Sequence, residues 1–425
     1  TQFGEGEMDG SSWEQALDVA GFRKLLSGSV DLSKSTIYMS QGKYVMSEES
    51  GLGVIVRKNV KAIKGGYSQF SEGTDVSARD IDTYVTVISG DVNGNKQADA
   101  GDCGLLLVKK GHITIEGVTF QYGYVSEADA STTECGSGIY VSGGAGDTSI
   151  ELTDCVIRDC TSGVTTSAKQ GGPAVFVLSG QVRLNNVNLL DNTAVGRGGA
   201  VRCNSKTAVV FMNGCLLKGN SHNGSWGNGI QMSEGHICIN NTTLIDNMGT
   251  GAALNGGGSI LLTNNTIIGN TSDSHGAVRC ETGVGGDTKF INNLLLSENP
   301  SAPSFNLNGS NFEAFSKGYN VYQRVTGITM SASDTAYPNP VNGTLDEKGV
   351  YVWDLNQIGS VKGYATKQAV IEVAKSFNPV ASPIANLGEV FVEWVGEDAF
   401  GIDQREVTRN ANKMQAGAYD AVLTN

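Results

Sequence analysis

Proline is scarce in this chain: seven in 425 residues, beside four histidines and only 17% charged residues. So little charge among so many aliphatic residues argues against a disordered, self-repelling polymer. No apolar run approaches the ~18 residues that a membrane-crossing helix needs. There are eight cysteines, at 103, 135, 155, 160, 203, 215, 238 and 280, but no CxxC pair and no Cys/His cluster with zinc-ligand spacing. Lys and Arg form no stripe and the net charge is −13, which argues against nucleic acid or an anionic membrane as partner. The chain opens on Thr1 rather than Met and shows no leader segment, so it reads as a mature or trimmed chain.

What is abundant is glycine, 57 residues of it, together with short alternating segments that recur. The stretch GAVRC occurs twice, at Gly199–Cys203 and Gly276–Cys280. Between and around the copies runs an alternating strand followed by Asn: VRLNNVNLLDN from Val182, ICINNTTLIDN from Ile237, LLTNNTIIGN from Leu261 and KFINNLLLSEN from Lys289. Aligning Gly117, Asp154, Asn186, Asn213, Asn241, Asn264 and Asn293 gives steps of 37, 32, 27, 28, 23 and 29 residues. A constant motif on an irregular period implies fixed strands joined by loops of variable length, the signature of a solenoid. Period-2 alternation excludes helical repeats, so the expected fold is all-β: a parallel β-helix whose coils stack ~4.8 Å apart.

A second half-unit contains the GAVRC stretch. It predicts one inward column of Ile139, Val175, Val201, Ile230, Leu254 and Val278, and another of Val141, Val177, Cys203, Met232, Gly256 and Cys280. Cysteines in such columns read as buried thiols rather than a disulfide framework. Asn192, Asn220, Asn247, Asn270 and Asn299 end the other strand set and read as a structural ladder along one corner of the stack. Sequons such as Asn241-Thr242-Thr243 then follow from ladder composition rather than from glycosylation. The expected organisation is an amphipathic helical cap over residues 1–35, with Ser11–Leu26 helical, a solenoid over 36–310, and last coils, an excursion with a short helix and an irregular cap over 311–425.

The pieces DGSSWEQAL, IKGGY, VISGD, SPIANLG (Ser382–Gly388) and DQREVTRNANKMQAGAYD (Asp403–Asp420) give the chain a resemblance to secreted right-handed parallel β-helix proteins of the pectate-lyase-like superfamily. It is most similar to Bacteroidales surface proteins with a choice-of-anchor Q C-terminus. Arg405, Arg409 and GAYD fit that ending, while Glu406 stands where the family pattern has Gly. The glycine-and-asparagine rhythm also resembles repeats of outer-membrane adhesins. The resemblance implies a right-handed solenoid and a secreted or cell-envelope location; it leaves activity open, because the superfamily holds lyases, hydrolases and adhesins.

Between the two inward columns lies an outward one, Tyr140, Phe176, Arg202, Gln231, Asn255 and Arg279. Rings, amides and guanidinium groups in a line suit a glycan: rings stack on sugar faces, amides bond hydroxyls, and Arg pairs with a carboxylate. Trp226 and His222 precede Gln231, and Asp273 and His275 precede Arg279. The plain alternative is an ordinary solvent-facing sheet. A polysaccharide lyase would need a base, for which Arg279, Arg202 or His275 are candidates, and a cation to neutralise the uronate. The acidic residues of 195–300 do not fall in one column, and no facing carboxylate pair suits a glycosidase. One loop, Asp91–Asp102, places Asp91, Asn93, Asn95, Gln97, Asp99 and Asp102 at the spacing of a calcium loop, with Lys96 where Gly is expected; the alternative is a polar turn. The reading is thus a monomeric surface protein that binds an extracellular glycan or a host or cell-surface ligand without chemistry. The alternatives are a lyase or an adhesin-like spacer, with Ca2+ as the one cofactor in view.

Overall fold

The computed structural model describes residues 9–418, apart from residues 48, 70–71, 73–74, 131–135, 145, 167–170, 225, 271–274, 281–286, 298–300, 308–312, 327–328, 338–342, 347–350 and 354–362. Cys135, Asp273 and Asn299 fall outside the described residues. Almost every strand pairs in parallel with the same strand of the next coil. The exception is an antiparallel pair, Gly343–Leu345 with Tyr351–Trp353.

One coil shows how the sequence builds the rest. Val175–Asn185 is a long strand of the first, 16-stranded sheet, with a register break between Val177 and Gly180. Asn186 then turns the chain at φ 53°, Asn188–Leu190 adds to the second, 11-stranded sheet, and Asp191 turns it again at φ 53°. Thr193–Ala194 belongs to a short third sheet of four strands, and a loop returns the chain to Val201. The first corner requires a left-handed backbone, and its column is Gly117, Asp154, Asn186, Gly214, Asn241, Asn264 and Asn292, all at positive φ. Only Gly, Asn and Asp visit this region at little cost, which is why they recur there. The expected alignment is therefore off by one at Asn213 and Asn293. Asn213 sits one residue before the corner, bonded to Asn185, and Asn293 one residue after it, bonded to Asn320. Alternation alone does not say which of two adjacent asparagines carries the positive φ.

The inward columns hold as expected. Val175, Val201, Ile230, Leu254 and Val278 are in register, fully buried, in one continuous core that also holds Cys203 and Cys280. All seven described cysteines are free and buried. Burial pushes the Cys160, Cys203 and Cys280 thiols up to about 12.

The asparagine ladder is not one run: besides a short run Asn185, Asn213 and Asn240 just before the first corner, two longer arrangements tie amides to backbone. At the second corner Asn192, Asn220, Asn247 and Asn270 follow one another, each amide donating to the next oxygen at 2.7–2.9 Å. The same oxygens accept backbone N–H groups at 3.0–3.1 Å, and each Nδ2 also reaches a carbonyl of the coil below. Just past the first corner, Asn265, Asn293 and Asn320 repeat the arrangement. It ends on Asp334, whose Oδ1 accepts both from Asn320.

The N-terminal helix differs from expectation in extent. Helix α1 covers Val19–Ser27, not Ser11–Leu26, because the Asp18 carboxylate caps it by accepting from Gly21 N at 2.7 Å. Its Phe22 and Leu26 close the core, while Trp13 anchors the preceding segment through a bond to Asp75 O. Strands continue past residue 310, through Val325–Thr326 and Thr335–Ala336.

The C-terminal segment does not sit on the solenoid's end; it lies along its side. Helix α2 (Lys367–Lys375), capped by Thr366, and helix α3 (Leu387–Val395) bury Val370, Ile371, Phe377, Phe391 and Val392. They pack on outward residues of the first sheet, Val209, Phe211, Cys238, Leu261 and Ile291. Residues 402–418 then run as a strap across the first corner. Buried Arg409 donates to Asn241 Oδ1 at 2.8 Å and to the carbonyls of Ile402, Gln415 and Gly417. Glu406, where the resembled pattern has Gly, adopts φ 68°, so the position does call for a glycine-like conformation.

Three expectations follow. Asn220→Ala removes four hydrogen bonds from a dry corner and should cost about 3 kcal/mol in urea unfolding. Asn186→Gly, at the exposed left-handed corner, should stay within about 0.5 kcal/mol of the parent. Arg409→Met should leave the far-ultraviolet strand spectrum unchanged while exposing the strap to limited proteolysis. An uncut strap would show that apolar packing alone anchors it.

Candidate functional site

The outward column exists in the expected register: Tyr140, Phe176, Arg202, Gln231, Asn255 and Arg279 are successive neighbours, extended by Leu107 below and Asn306 above. Its exposure does not match. Tyr140, Phe176 and Asn255 are fully buried, and Arg202 and Gln231 are only 5% and 7% exposed. The loops that lead from each third-sheet strand to the next coil fold back over the column. Gly171 and Gly172 lie against Arg202, where an added Cβ would come within 3.3 and 3.1 Å of its side chain. Gly227 N donates to Gln231 Oε1 at 3.2 Å. Tyr140 and Phe176 join Val125, Ala130 and Val164 in a small second core, their ring centroids 5.4 Å apart. Arg202 lies over the Phe176 ring and donates to Asn204 Oδ1. Alternation separates in from out; it is silent about what lies outside.

The accessible chemistry is at the loop edge. The Trp226 ring, half-buried, has the Arg197 guanidinium carbon 5.8 Å and that of Arg279 5.5 Å from its centroid. Arg197 is exposed and Arg279 half-exposed. Such spacings are those of cation–π contacts. Half-exposed His275 is nearby in the chain, its Nδ1 3.3 Å from Thr250 O. Trp226 takes φ 97°, a strained value for a bulky residue. Gly251 of the next coil presses on it so closely that a Cβ there would meet Trp226 O at 1.2 Å. Arg197 is the member that the strand alignment missed, since it stands in the loop GRGGA before its strand. An Arg isolated among glycines in a roofing loop was the available signal.

His222 is not in that loop. It ends a third-sheet strand, buried, with Nε2 2.9 Å from Asn228 Oδ1, and burial pushes its pKa down. The Asp91–Asp102 loop is closed on itself. Asp91 pairs with Lys43 at 2.8 Å; burial would raise this carboxyl, but the Lys43 hydrogen bond and charge outweigh it and hold it low. Asp102 accepts from the N–H groups of Val92, Asn93 and Asp99, though burial still raises its pKa. Asn93 and Asn95 donate to Asp99. Gln97 donates its N–H to Asn95 Oδ1. Among the described residues no group of three or more His, Cys, Asp or Glu side chains is gathered to hold a metal ion.

Asn255 is the anomaly of the column. It is fully buried, and neither its oxygen nor its nitrogen has a hydrogen-bond partner among the described residues. An unsatisfied buried amide costs about 1–3 kcal/mol. Asn255→Leu, of similar size, should therefore raise unfolding stability by about 1 kcal/mol in urea titration. A clear loss of stability would mean that the amide has a partner after all.

No curated protein and no solved structure matches the chain. Residues 81–295, half of its length, match the family described as a right handed beta helix region. These residues carry the stacked coils, the corner asparagines and the Trp226 stack, and the chain belongs to the right-handed β-helix family.

Proposed function

We propose that the protein is a secreted or cell-surface recognition protein that binds an acidic glycan at the Trp226 stack, without chemistry. The observation that carries this reading is Trp226 at a loop edge with two guanidinium groups close to its ring. An indole face offers the flat apolar surface on which a sugar ring stacks, and Arg at its rim pairs with a carboxylate or sulfate. The rest of the original column lies under its loops and takes no part in the contact. A β-helix suits a surface or carbohydrate-related role, and the closing motif resembles that of Bacteroidales surface proteins with a choice-of-anchor Q ending. The lyase and spacer alternatives lack a comparable observation.

A panel of uronate-containing and sulfated polysaccharides, read for binding and for ultraviolet-absorbing product together, tests the assignment. Trp226→Ala should weaken binding about thirtyfold, as loss of a buried aromatic anchor does. Arg197→Gln should weaken it less, with a shallower salt dependence. Unchanged affinity in Trp226→Ala would sink the site, and product release would replace recognition by elimination chemistry.

A further inference from the structure

The strap formed by residues 402–418 lies on two parallel columns of the solenoid. One is the left-handed corner; the other is the first outward position of the second sheet, where Thr119, Val156, Asn188, Leu216, Thr243 and Thr266 are successive neighbours. The strap occupies the upper members of both. Asn241 donates to Ile402 O, Thr243 to Gln404 Oε1, and Asn292 to Gln415 O, while Thr266 Oγ1 accepts from Ala418 N. Its lower end is Gln404, which reaches Cys215 O.

Below that point the same two columns continue, exposed at Asp154 and Asn186 and covered again at Gly117, against which Ile81 and Arg79 lie. They form the floor of a groove of 460 Å³, bounded by Ile81 and Val85 at one end and by Gln404 and Glu406 at the other. Its floor includes Asp154, Asn186 and Val156. Three exposed carboxylates line it, Asp82, Asp154 and Glu406, and among the described residues that line it there is no Lys or Arg. The groove thus presents hydrogen-bonding corners, the half-exposed Val156, the exposed Val85 and negative charge, in direct continuation of a surface that already holds extended polypeptide.

We infer that this groove docks an extended segment of a partner protein carrying an arginine or lysine, seated on Asp154 and Asn186 as the strap's own Arg409 is seated on Asn241. Backbone groups of the segment meet the corner as the strap's do, and the cation answers the carboxylates.

The probe is a fluorescein-labelled peptide of the sequence Val-Thr-Arg-Asn-Ala, the strap's own Val407–Ala411, and a counterpart with Glu in place of Arg. Fluorescence anisotropy on the full chain should show saturable binding of the first and none of the second. Asp154→Gly combined with Asn186→Gly keeps the corner backbone, since glycine holds that position at Gly117 and Gly214. It should weaken binding roughly tenfold, as for one charge-assisted hydrogen bond. Trp226→Ala should leave it unchanged, which separates this site from the glycan site. Absence of saturable binding at millimolar peptide, equal binding of the two peptides, or full affinity in the double variant overturns the inference.

Discussion

A buried carboxamide that donates upward and downward while accepting on its oxygen is the interaction on which the solenoid rests. At each corner the backbone leaves the sheets, and its N–H and C=O groups lose their ladder partners in a place that water does not reach. Asn220 answers this in one residue. Its Nδ2 donates to the Leu189 carbonyl and to the Asn247 oxygen, while its own oxygen takes the Asn192 N–H and amide. Asparagine propagates because it is both donor and acceptor; aspartate accepts only. The first-corner ladder accordingly stops at Asp334, whose second oxygen accepts from Ser316 and Ser331 instead. At the other end of the second ladder stands Cys160, which receives the Asn192 oxygen on its backbone N–H and continues no chain of amides.

Because the corners are fixed one by one, the residues between them are free to vary. Successive ladder members are 28, 27 and 23 residues apart, yet their bond lengths barely change. The slack is taken up in register breaks within the first sheet's long strands and in the loops that return the chain to that sheet. These loops do two things at once: they roof the outward column of the first sheet, and they carry Arg197, Trp226 and His275 at its edge. The other half of the first sheet's outer face lies under α2 and α3, and the upper corner lies under the strap. The open surface is thus a remainder, defined by what the loops and the C-terminal segment leave uncovered.

Much of the architecture was legible because inward residues obey one rule, that an apolar side chain of fitting size stacks on its like. Val201, Ile230 and Leu254 declare themselves by alternation. The corner was legible in kind but not in register, since Asn213 and Gly214 differ in φ and not in polarity. The surroundings of the outward column were legible in part. Trp226 and Arg279 were named as candidates and lie together at the loop edge, but Phe176 and Arg202 were read as exposed because their strand positions point outward. Whether an outward position meets water depends on loops that have no periodicity, and on a C-terminal segment folded back from more than a hundred residues away. Arg197 escaped for the same reason, having no place in any strand column.

The strain at Trp226 belongs with this division of labour. A bulky residue at φ 97° persists only where its surroundings leave it no alternative. Here Gly251 packs directly on the Trp226 carbonyl, and Gly227 beside it is tied to Gln231. Both contacts come from coils whose spacing the amide ladder sets, so the indole is presented by the rigid part of the molecule although it stands in a loop. A ring fixed in this way loses little conformational freedom when a flat ligand settles on it. Under the proposed reading, that favours recognition over shape change and assigns the selectivity of the edge to the two guanidinium groups beside the ring.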